Sequence, residues 1–253
     1  MKYCIYILLA VLTITNIQAQ HIKIIAHRGA WKNTGKPQNS IAALQEAIKQ
    51  EVFGAEFDVC LTKDNILVVN HDPTYHGLNI SNTTYQELLQ FKLANDEKIP
   101  TAEEYMIEGL RQHKTKMIYE IKTSTSGLAH TLQNAIESYN LVKKLDGLSQ
   151  TIFISFSYEV CLKLKELDKN IQVQYLNGNK TPEELKSDGI DGLDYNYYTL
   201  YKYPNYIQEA KKLGILVNVW TVNTESDLNK FIAQEVDFIT TDEPELLTKL
   251  LSK

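Results

Sequence analysis

Short apolar segments alternate with amphipathic segments along almost the whole chain of 253 residues, and this alternation restricts the fold more than any other feature. Eight of the segments have the length and the β-branched or aromatic content of buried strands, and each precedes a segment with helical periodicity. Consecutive strand–helix units of this kind build parallel sheets. The predicted strands begin near Ile22, Ala55, Lys116, Thr151, Ile171, Gly189, Ile215 and Phe238.

Eight strand–helix units in a chain of this length predict an α/β fold, a (β/α)8 TIM barrel that forms a single domain. A doubly wound open sheet is the alternative, but no glycine-rich segment of the dinucleotide-binding type follows the first strand. No linker divides the sequence, and no repeat of fixed period is visible. We therefore expect one domain over residues 20–253.

Residues 1–19 are typical of a cleavable signal peptide. Lys2 is followed by an apolar run over residues 5–12 and by a small-residue exit at Ala19. The apolar run is too short to span a membrane. We expect the protein to be exported, to the periplasm or beyond the cell, with no transmembrane segment in the mature chain.

Charge and cysteine content narrow the function classes further. The net charge is −5, with no basic stripe and no Arg-rich segment, so nucleic acid is excluded as an expected partner. Cys60 and Cys161 remain after export, and two thiols do not form a disulfide framework. We expect two buried free thiols, with a disulfide between them as the alternative if they lie close together.

A hairpin over residues 55–72 gathers acidic and imidazole side chains. Glu56 and Asp58 are two residues apart in a strand-like run, so they point to the same face. A two-residue turn at Asp64 and Asn65 would place His71 directly across from Asp58. The alternative for this segment is an amphipathic hairpin with one polar face and no site.

Polar side chains also follow the other predicted strands, at the ends where barrel enzymes place their sites. The first three strand ends carry most of the charge. The residues at these ends are His27, Arg28, Glu56, Asp58, Glu120, Lys122, Ser155, Tyr175, Asn177, Asp194, Trp220, Asn223 and Asp242.

The acids among them indicate a metal site. Buried carboxylates are unfavourable unless positive charge compensates them. Glu56, Asp58 and Glu120 offer only oxygen ligands, which favours one hard divalent cation, Mg²⁺ or Ca²⁺, over zinc. A solvated cluster of ion pairs is the alternative.

The basic side chains indicate an anionic substrate beside that metal. Arg28 and Lys122 can neutralise a phosphate, one as a planar fork and the other as a point charge. His27 and His71 qualify as a general acid and base. Histidines that are merely hydrogen-bonded in a core remain the alternative.

Seven segments in the same order resemble the glycerophosphodiester phosphodiesterases, and the similarity covers about residues 24–250. These segments are Ile25-Ala26-His27-Arg28-Gly29, Pro37-Gln38-Asn39-Ser40, Glu56-Phe57-Asp58-Val59, His71-Asp72-Pro73-Thr74, Glu120-Ile121-Lys122, Asn218-Val219-Trp220-Thr221-Val222-Asn223 and Thr241-Asp242-Glu243-Pro244. The resemblance implies a TIM barrel with a divalent ion. It implies Glu56, Asp58 and Glu120 as the metal ligands.

The resemblance also implies roles for the remaining site residues. His27 and His71 would be the acid and base, Arg28 and Lys122 would lie near the phosphate, and Trp220 would form a wall against the glycerol moiety. A core aromatic is the alternative for Trp220. The implied mechanism is attack of a neighbouring glycerol hydroxyl on phosphorus, loss of the alcohol, and opening of the cyclic phosphate by water.

Two departures from the family concern the choice of substrate. Gln38 stands where the family usually has an acid, and only about 28 residues separate His71 from Pro100, without the Arg-Thr-Thr pattern often found there. We expect a small-molecule phosphodiester as substrate. An enzyme acting on another diester, with phospholipase or sphingomyelinase D-like activity, and a diester-binding protein without turnover are the alternatives.

Overall fold

A computed structural model describes residues 22–252. The signal peptide predicted for residues 1–19 lies outside the described residues and stays a prediction. In chain order the strands are β1 (Lys23–Ala26), β2 (Gly54–Leu61), β3 (Leu67–Val69), β4 (Thr74–Tyr75), β5 (Leu78–Asn79), β6 (Lys116–Ile121), β7 (Thr151–Ser155), β8 (Gln172–Tyr175), β9 (Gly192–Asn196), β10 (Leu216–Trp220) and β11 (Phe238–Thr241).

At least one helix follows each of the eight parallel strands in the chain, as predicted. They are α1 (Ile41–Lys49), α2 (Tyr85–Leu88), α3 (Ala102–Gly109), α4 (Leu128–Lys144), α5 (Tyr158–Leu167), α6 (Pro182–Ser187), α7 (Tyr197–Lys202), α8 (Tyr206–Leu213), α9 (Glu225–Ala233) and α10 (Pro244–Leu251). Two short 3₁₀ helices span Ile80–Asn82 and Leu148–Gln150 within the described part of the chain.

The parallel strands close into a barrel. Within residues 22–252, eight strands hydrogen-bond in the order β1-β11-β10-β9-β8-β7-β6-β2, and β1 pairs with both β11 and β2. An open sheet would have two edge strands, whereas the pairing of β1 with β2 joins the two ends of this strand order into a ring, so the doubly wound alternative is wrong. The predicted single-domain (β/α)8 barrel is confirmed. All carboxyl ends of these strands therefore meet at one end of the barrel.

The pleat of β2 separates its acids from its apolar residues. Phe57 packs against Tyr105 and Tyr119 in the layer between strands and helices, with ring centroids 4.5 and 4.8 Å apart. Successive side chains of a strand point to opposite faces, so Glu56 and Asp58 point into the barrel. The strand–helix core thereby fixes the direction of both carboxylates.

Helix starts follow the capping residues in the sequence. Thr84 accepts a hydrogen bond from the backbone N–H of Glu87, whose side chain bonds back, and this capping box begins α2 as predicted. Helix α2 ends at Leu88, before the predicted Phe91. Helix α4 runs to Lys144, five residues beyond the predicted end near Tyr139, because its buried face continues to Val142.

The segment around β9 differs most from the prediction. A strand was expected over residues 189–194, whereas β9 covers Gly192–Asn196 and α7 follows at once. The side chain of Asn196 accepts a hydrogen bond from the backbone N–H of Tyr198 and caps α7. Helix α7 has only six residues, which is too short for helical periodicity to be recognised in the sequence, so this helix was not predicted.

The predicted register of the β2–β3 hairpin is wrong by one residue. The backbone N–H of Thr62 donates to the carbonyl of Ile66, which makes a three-residue loop over residues 63–65. Asn65 ends that loop with a φ of 61°, a left-handed conformation that asparagine tolerates. Val59 consequently pairs with Val69, and the residue opposite Asp58 is position 70 instead of His71.

Both cysteines that the structure describes, Cys60 and Cys161, are free and buried, which confirms the prediction for the thiols. Burial raises the pKa of the Cys60 thiol to about 12. No helix within residues 22–252 has the length and apolar character needed to cross a bilayer.

Candidate active site

Six of the predicted site residues lie on or directly after three adjacent strands, β1, β2 and β6. His27 and Arg28 directly follow β1, and the tight turn behind them uses Gly29, whose φ is 80° and whose Cβ position would lie 2.7 Å from the backbone of Ala43. Asp58 on β2 lies beside Glu120 on β6 in the parallel register. The strand pairing therefore brings residues far apart in sequence to one end of the barrel.

The three predicted metal ligands form one buried cluster. Glu56, Asp58 and Glu120 each place a carboxylate oxygen within 4.8 Å of the others, and the residues are only 2%, 1% and 7% exposed. Burial and the neighbouring acids raise the pKa of Glu56 well above its usual range, and burial with Asp58 raises that of Glu120 to about 8. The cluster therefore resists carrying three negative charges without a cation.

Asp58 is the one member of the cluster that nearby groups hold ionised. Burial acts to raise its pKa, but Lys122, His71 and a hydrogen bond from Asn39 outweigh burial and lower the pKa to about 2. Lys122 Nζ lies 3.1 Å from Asp58 Oδ1 and 2.7 Å from Glu120 Oε1. Asp58 and Glu120 keep the pKa of this ammonium above its ordinary value, despite burial that lowers it.

A divalent cation fits this donor set. Glu56 Oε1 is buried and has no hydrogen-bond partner among the residues that the structure describes, while Oε2 accepts a hydrogen bond from the backbone N–H of Arg28 at 2.8 Å. An unpaired buried carboxylate oxygen beside two further carboxylates is the arrangement that a hard cation satisfies. All three ligands are oxygens, which suits Mg²⁺ or Ca²⁺ better than zinc.

Arg28 lies against the same cluster. Its Nε is 3.6 Å from Asp58 Oδ2, and one terminal nitrogen donates to Gln38 Oε1 at 2.5 Å. Gln38, the departure from the family noted in the sequence, therefore holds the Arg28 guanidinium through a hydrogen bond to an uncharged amide. Because residue 38 carries no negative charge, it does not offset the attraction between the guanidinium and an anionic substrate.

His27 is oriented by an aspartate that follows the last barrel strand. Its Nδ1 lies 2.8 Å from Asp242 Oδ1, and its Nε2 lies 4.0 Å from Glu56. Asp242 also accepts hydrogen bonds from Asn223 at 2.7 Å and from Trp31 at 3.3 Å. These bonds favour the tautomer that carries the proton on Nδ1 and leaves Nε2 facing the acidic cluster as an acceptor.

His71 reaches the site although the predicted hairpin register is wrong. It lies two residues beyond β3 and contributes to the lining of the same cavity as His27 and Arg28. Its side chain is 41% exposed, against 20% for His27, and Nδ1 lies 2.7 Å from Asp72. Burial is the largest influence on His71 and lowers its pKa. The His27 imidazole is therefore the more buried of the two, and the His71 imidazole lies closer to solvent.

Opposite the charged residues, the cavity has an aromatic and aliphatic wall. The cavity holds about 100 Å³, and Phe156, Leu176, Trp220 and Asp194 line this second wall. Trp220 is half-buried, meets Phe156 edge-on at 5.4 Å between centroids, and donates from Nε1 to the carbonyl of Asp194 at 2.8 Å. Its indole thus both packs in the barrel and borders the cavity.

Sequence reasoning gave no role to two residues that position the site. Asn39 donates to Asp58 Oδ2 at 2.8 Å and accepts from the backbone N–H of Asp58 at 3.2 Å. It adopts a φ of 59°, so its position in the turn before α1 is unusual for a non-glycine residue. Asp242 was noted as a strand-end residue and as part of one segment that resembles the family, without a role of its own. The sequence offered one signal for each residue. Asn39 lies in a turn segment that resembles the family, and Asp242 follows the last predicted strand.

Comparisons with known proteins agree on one family. The model for the glycerophosphoryl diester phosphodiesterase family matches residues 27–246. A glycerophosphodiester phosphodiesterase of Caldanaerobacter subterraneus is 30% identical, over 91% of this chain and 98% of the relative. A crystal structure of a glycerophosphodiester phosphodiesterase from Parabacteroides distasonis is 40% identical, with a TM-score of 0.90 over 92% of this chain and 98% of that one.

A more distant structure shares the fold. It is a phosphodiesterase of Oleispira antarctica in complex with the product sn-glycerol-3-phosphate, at 24% identity and a TM-score of 0.77 over 91% of this chain and 97% of that one. The family match extends over most of the residues that form the barrel. This chain is therefore an enzyme that belongs to the glycerophosphoryl diester phosphodiesterase family.

Proposed function

We propose that this enzyme hydrolyses glycerophosphodiesters to glycerol 3-phosphate and an alcohol, with one Mg²⁺ or Ca²⁺ ion and a pair of histidines. The observation that carries the proposal is the buried cluster of Glu56, Asp58 and Glu120, since Glu56 and Glu120 line a cavity together with His27 and His71. Family membership supports the reaction class. The product-bound relative supports a small-molecule substrate.

The charged wall of the cavity is suited to a phosphodiester anion. Glu56, Asp58 and Glu120 would hold a divalent cation, which when bound supplies positive charge to the phosphoryl oxygens as the transition state forms. Arg28 and Lys122 stand beside the cluster and add two positive charges from side chains that are 19% and 15% exposed. In a largely buried site such charges act strongly on a developing oxyanion.

The two histidines divide the proton transfers. His27 Nε2, left free by the bond between Nδ1 and Asp242, accepts the proton of the glycerol hydroxyl that attacks phosphorus. His71, at the more exposed position, donates a proton to the alcohol oxygen as its bond to phosphorus breaks. Water then opens the cyclic phosphate, with the imidazole roles exchanged, and glycerol 3-phosphate leaves.

The substrate is tested by incubating the protein with soluble diesters and with intact lipids in the presence of Mg²⁺ or Ca²⁺. We expect glycerol 3-phosphate and the free alcohol from glycerophosphocholine and glycerophosphoethanolamine, quantified by a coupled assay and by phosphorus NMR. Phosphocholine as the product would show that another bond is cleaved. Turnover of lysophosphatidylcholine or sphingomyelin alone would favour the alternative of a lipid-directed enzyme, and no release from any diester would contradict the proposal.

A further inference from the structure

Asp194 is a buried acid that the proposed chemistry does not use. It lies on β9, is 1% exposed, and lines the cavity on the wall opposite the metal cluster. Its Oδ1 has no hydrogen-bond partner in the described part of the chain. Buried polar atoms in native proteins are almost always paired, so this oxygen points to a partner that enters the cavity.

The environment of Asp194 specifies the chemistry of that partner. Burial and the charge of Glu120 raise the pKa of its carboxyl well above the usual range, which favours the protonated form. A carboxyl group accepts hydrogen bonds when it is ionised and also donates one when it is protonated, and a hydroxyl group, which both donates and accepts, can pair with either form. A side-chain hydrogen bond with Asn218 acts to lower that pKa, and Oδ1 still has no partner within the described residues.

Two cavities share His71 in their lining, and each is suited to hold one end of a diester. The inner cavity of about 100 Å³ contains His27, Asp194 and Trp220. An outer cavity of about 180 Å³ is lined by His71, Lys122 and residues of the loop after β6. If His71 protonates the departing alcohol, that alcohol lies toward the outer cavity, and the glycerol moiety lies in the inner one.

We propose that Asp194 binds the terminal hydroxyl of the glycerol moiety and thereby selects deacylated glycerophosphodiesters over lysophospholipids. This inference rests on the proposed function. An acylated glycerol has an ester in place of that hydroxyl, so its oxygen cannot donate to Asp194, and its chain would have to pass Phe156, Leu176 and Trp220. A site built around a hydroxyl discriminates strongly against an analogue that lacks it.

The test compares two substrates in three proteins. Glycerophosphocholine is measured against its analogue with 1,2-propanediol in place of glycerol, which keeps the hydroxyl next to the phosphate ester and lacks the terminal one. For the wild type we expect kcat/KM to be at least about 100-fold higher for glycerophosphocholine. Asp194→Ala should lose about that factor on glycerophosphocholine and change little on the analogue, and Asp194→Asn should recover part of the preference because its amide can still pair with a hydroxyl.

Asp191→Asn is the matched control. Asp191 lies just before β9 at the opposite end of the barrel, paired with Lys165 at 2.9 Å, and its variant should keep the wild-type preference. Equal losses on both substrates in Asp194→Ala would show a structural role and overturn the proposal. Equal wild-type rates on both substrates, or wild-type turnover of lysophosphatidylcholine as fast as glycerophosphocholine, would overturn it as well.

A binding measurement separates this inference from the proposed function. Calorimetry on the wild type compares glycerol 3-phosphate with propane-1,2-diol 1-phosphate, and needs neither turnover nor a folded Asp194→Ala variant. Tighter binding of glycerol 3-phosphate by about 10-fold or more supports the assignment of Asp194. Equal affinity overturns it. A wild type that binds selectively but releases no glycerol 3-phosphate would contradict only the proposed reaction.

Discussion

Replacing His27 with alanine is expected to lower kcat by about 10²–10⁴-fold, because the general base for the attacking hydroxyl is removed. The KM should change little, since Arg28 and Lys122 still face the phosphate and the three carboxylates are untouched. Affinity for Mg²⁺ or Ca²⁺, measured by calorimetry, should stay within about 3-fold of the wild type, since His27 is no ligand in this account. Added imidazole should restore part of the rate.

His113→Ala is the control for the loss of an imidazole. His113 is exposed, lies before β6 at the other end of the barrel, and contacts Gln150 at 3.0 Å. Its replacement should leave kcat unchanged. A His27→Ala enzyme that kept more than about a tenth of the wild-type kcat would show that His27 is not the base.

Replacing Glu56 with glutamine is also expected to lower activity strongly, but through weaker binding of the divalent ion. The change keeps the size of the side chain and removes one negative charge from the cluster, so affinity for the divalent ion should fall by about 100-fold or more and kcat/KM at limiting ion by about 10³-fold. Without metal the variant should be at least as stable as the wild type at neutral and higher pH, because burial and the neighbouring acids raise the pKa of Glu56.

The sign of that stability effect follows from the direction of the shift. A raised folded-state pKa means that the folded chain favours protonated Glu56, so the contribution is present at low pH and is lost as pH rises through the folded-state value. Glutamine cannot ionise and escapes this loss. Glu183→Gln, an exposed acid in the first turn of α6, is the matched control and should change neither ion affinity nor rate. Lower metal-free stability in Glu56→Gln, with unchanged ion affinity, would contradict the account.

The end of the barrel that holds the site followed from the sequence for a simple physical reason. Strands of a (β/α)8 barrel are all parallel, so the residues at their carboxyl ends must converge whatever the details of packing. His27, Glu56 and Glu120 could therefore be placed together from strand positions alone. The alternation along β2 also sufficed to put Glu56 and Asp58 on one face.

Details set by backbone geometry were beyond the sequence. The loop after β2 has three residues because Asn65 adopts a left-handed conformation, and a pattern of turn residues does not separate this loop from a two-residue turn. Because the loop is one residue longer than predicted, position 70 lies opposite Asp58 and His71 does not. The bond between Asp242 and His27 joins residues 215 positions apart, and no local pattern indicates it.

The central claim is that the buried carboxylates of Glu56, Asp58 and Glu120 hold a divalent cation that the reaction requires. The most direct measurement is the rate of glycerol 3-phosphate release from glycerophosphocholine by wild-type protein that has been stripped of metal, before and after Mg²⁺ or Ca²⁺ is returned. The account predicts loss of the activity on stripping and recovery with one ion bound per chain. A metal-free protein that hydrolyses the diester at the full rate would contradict it.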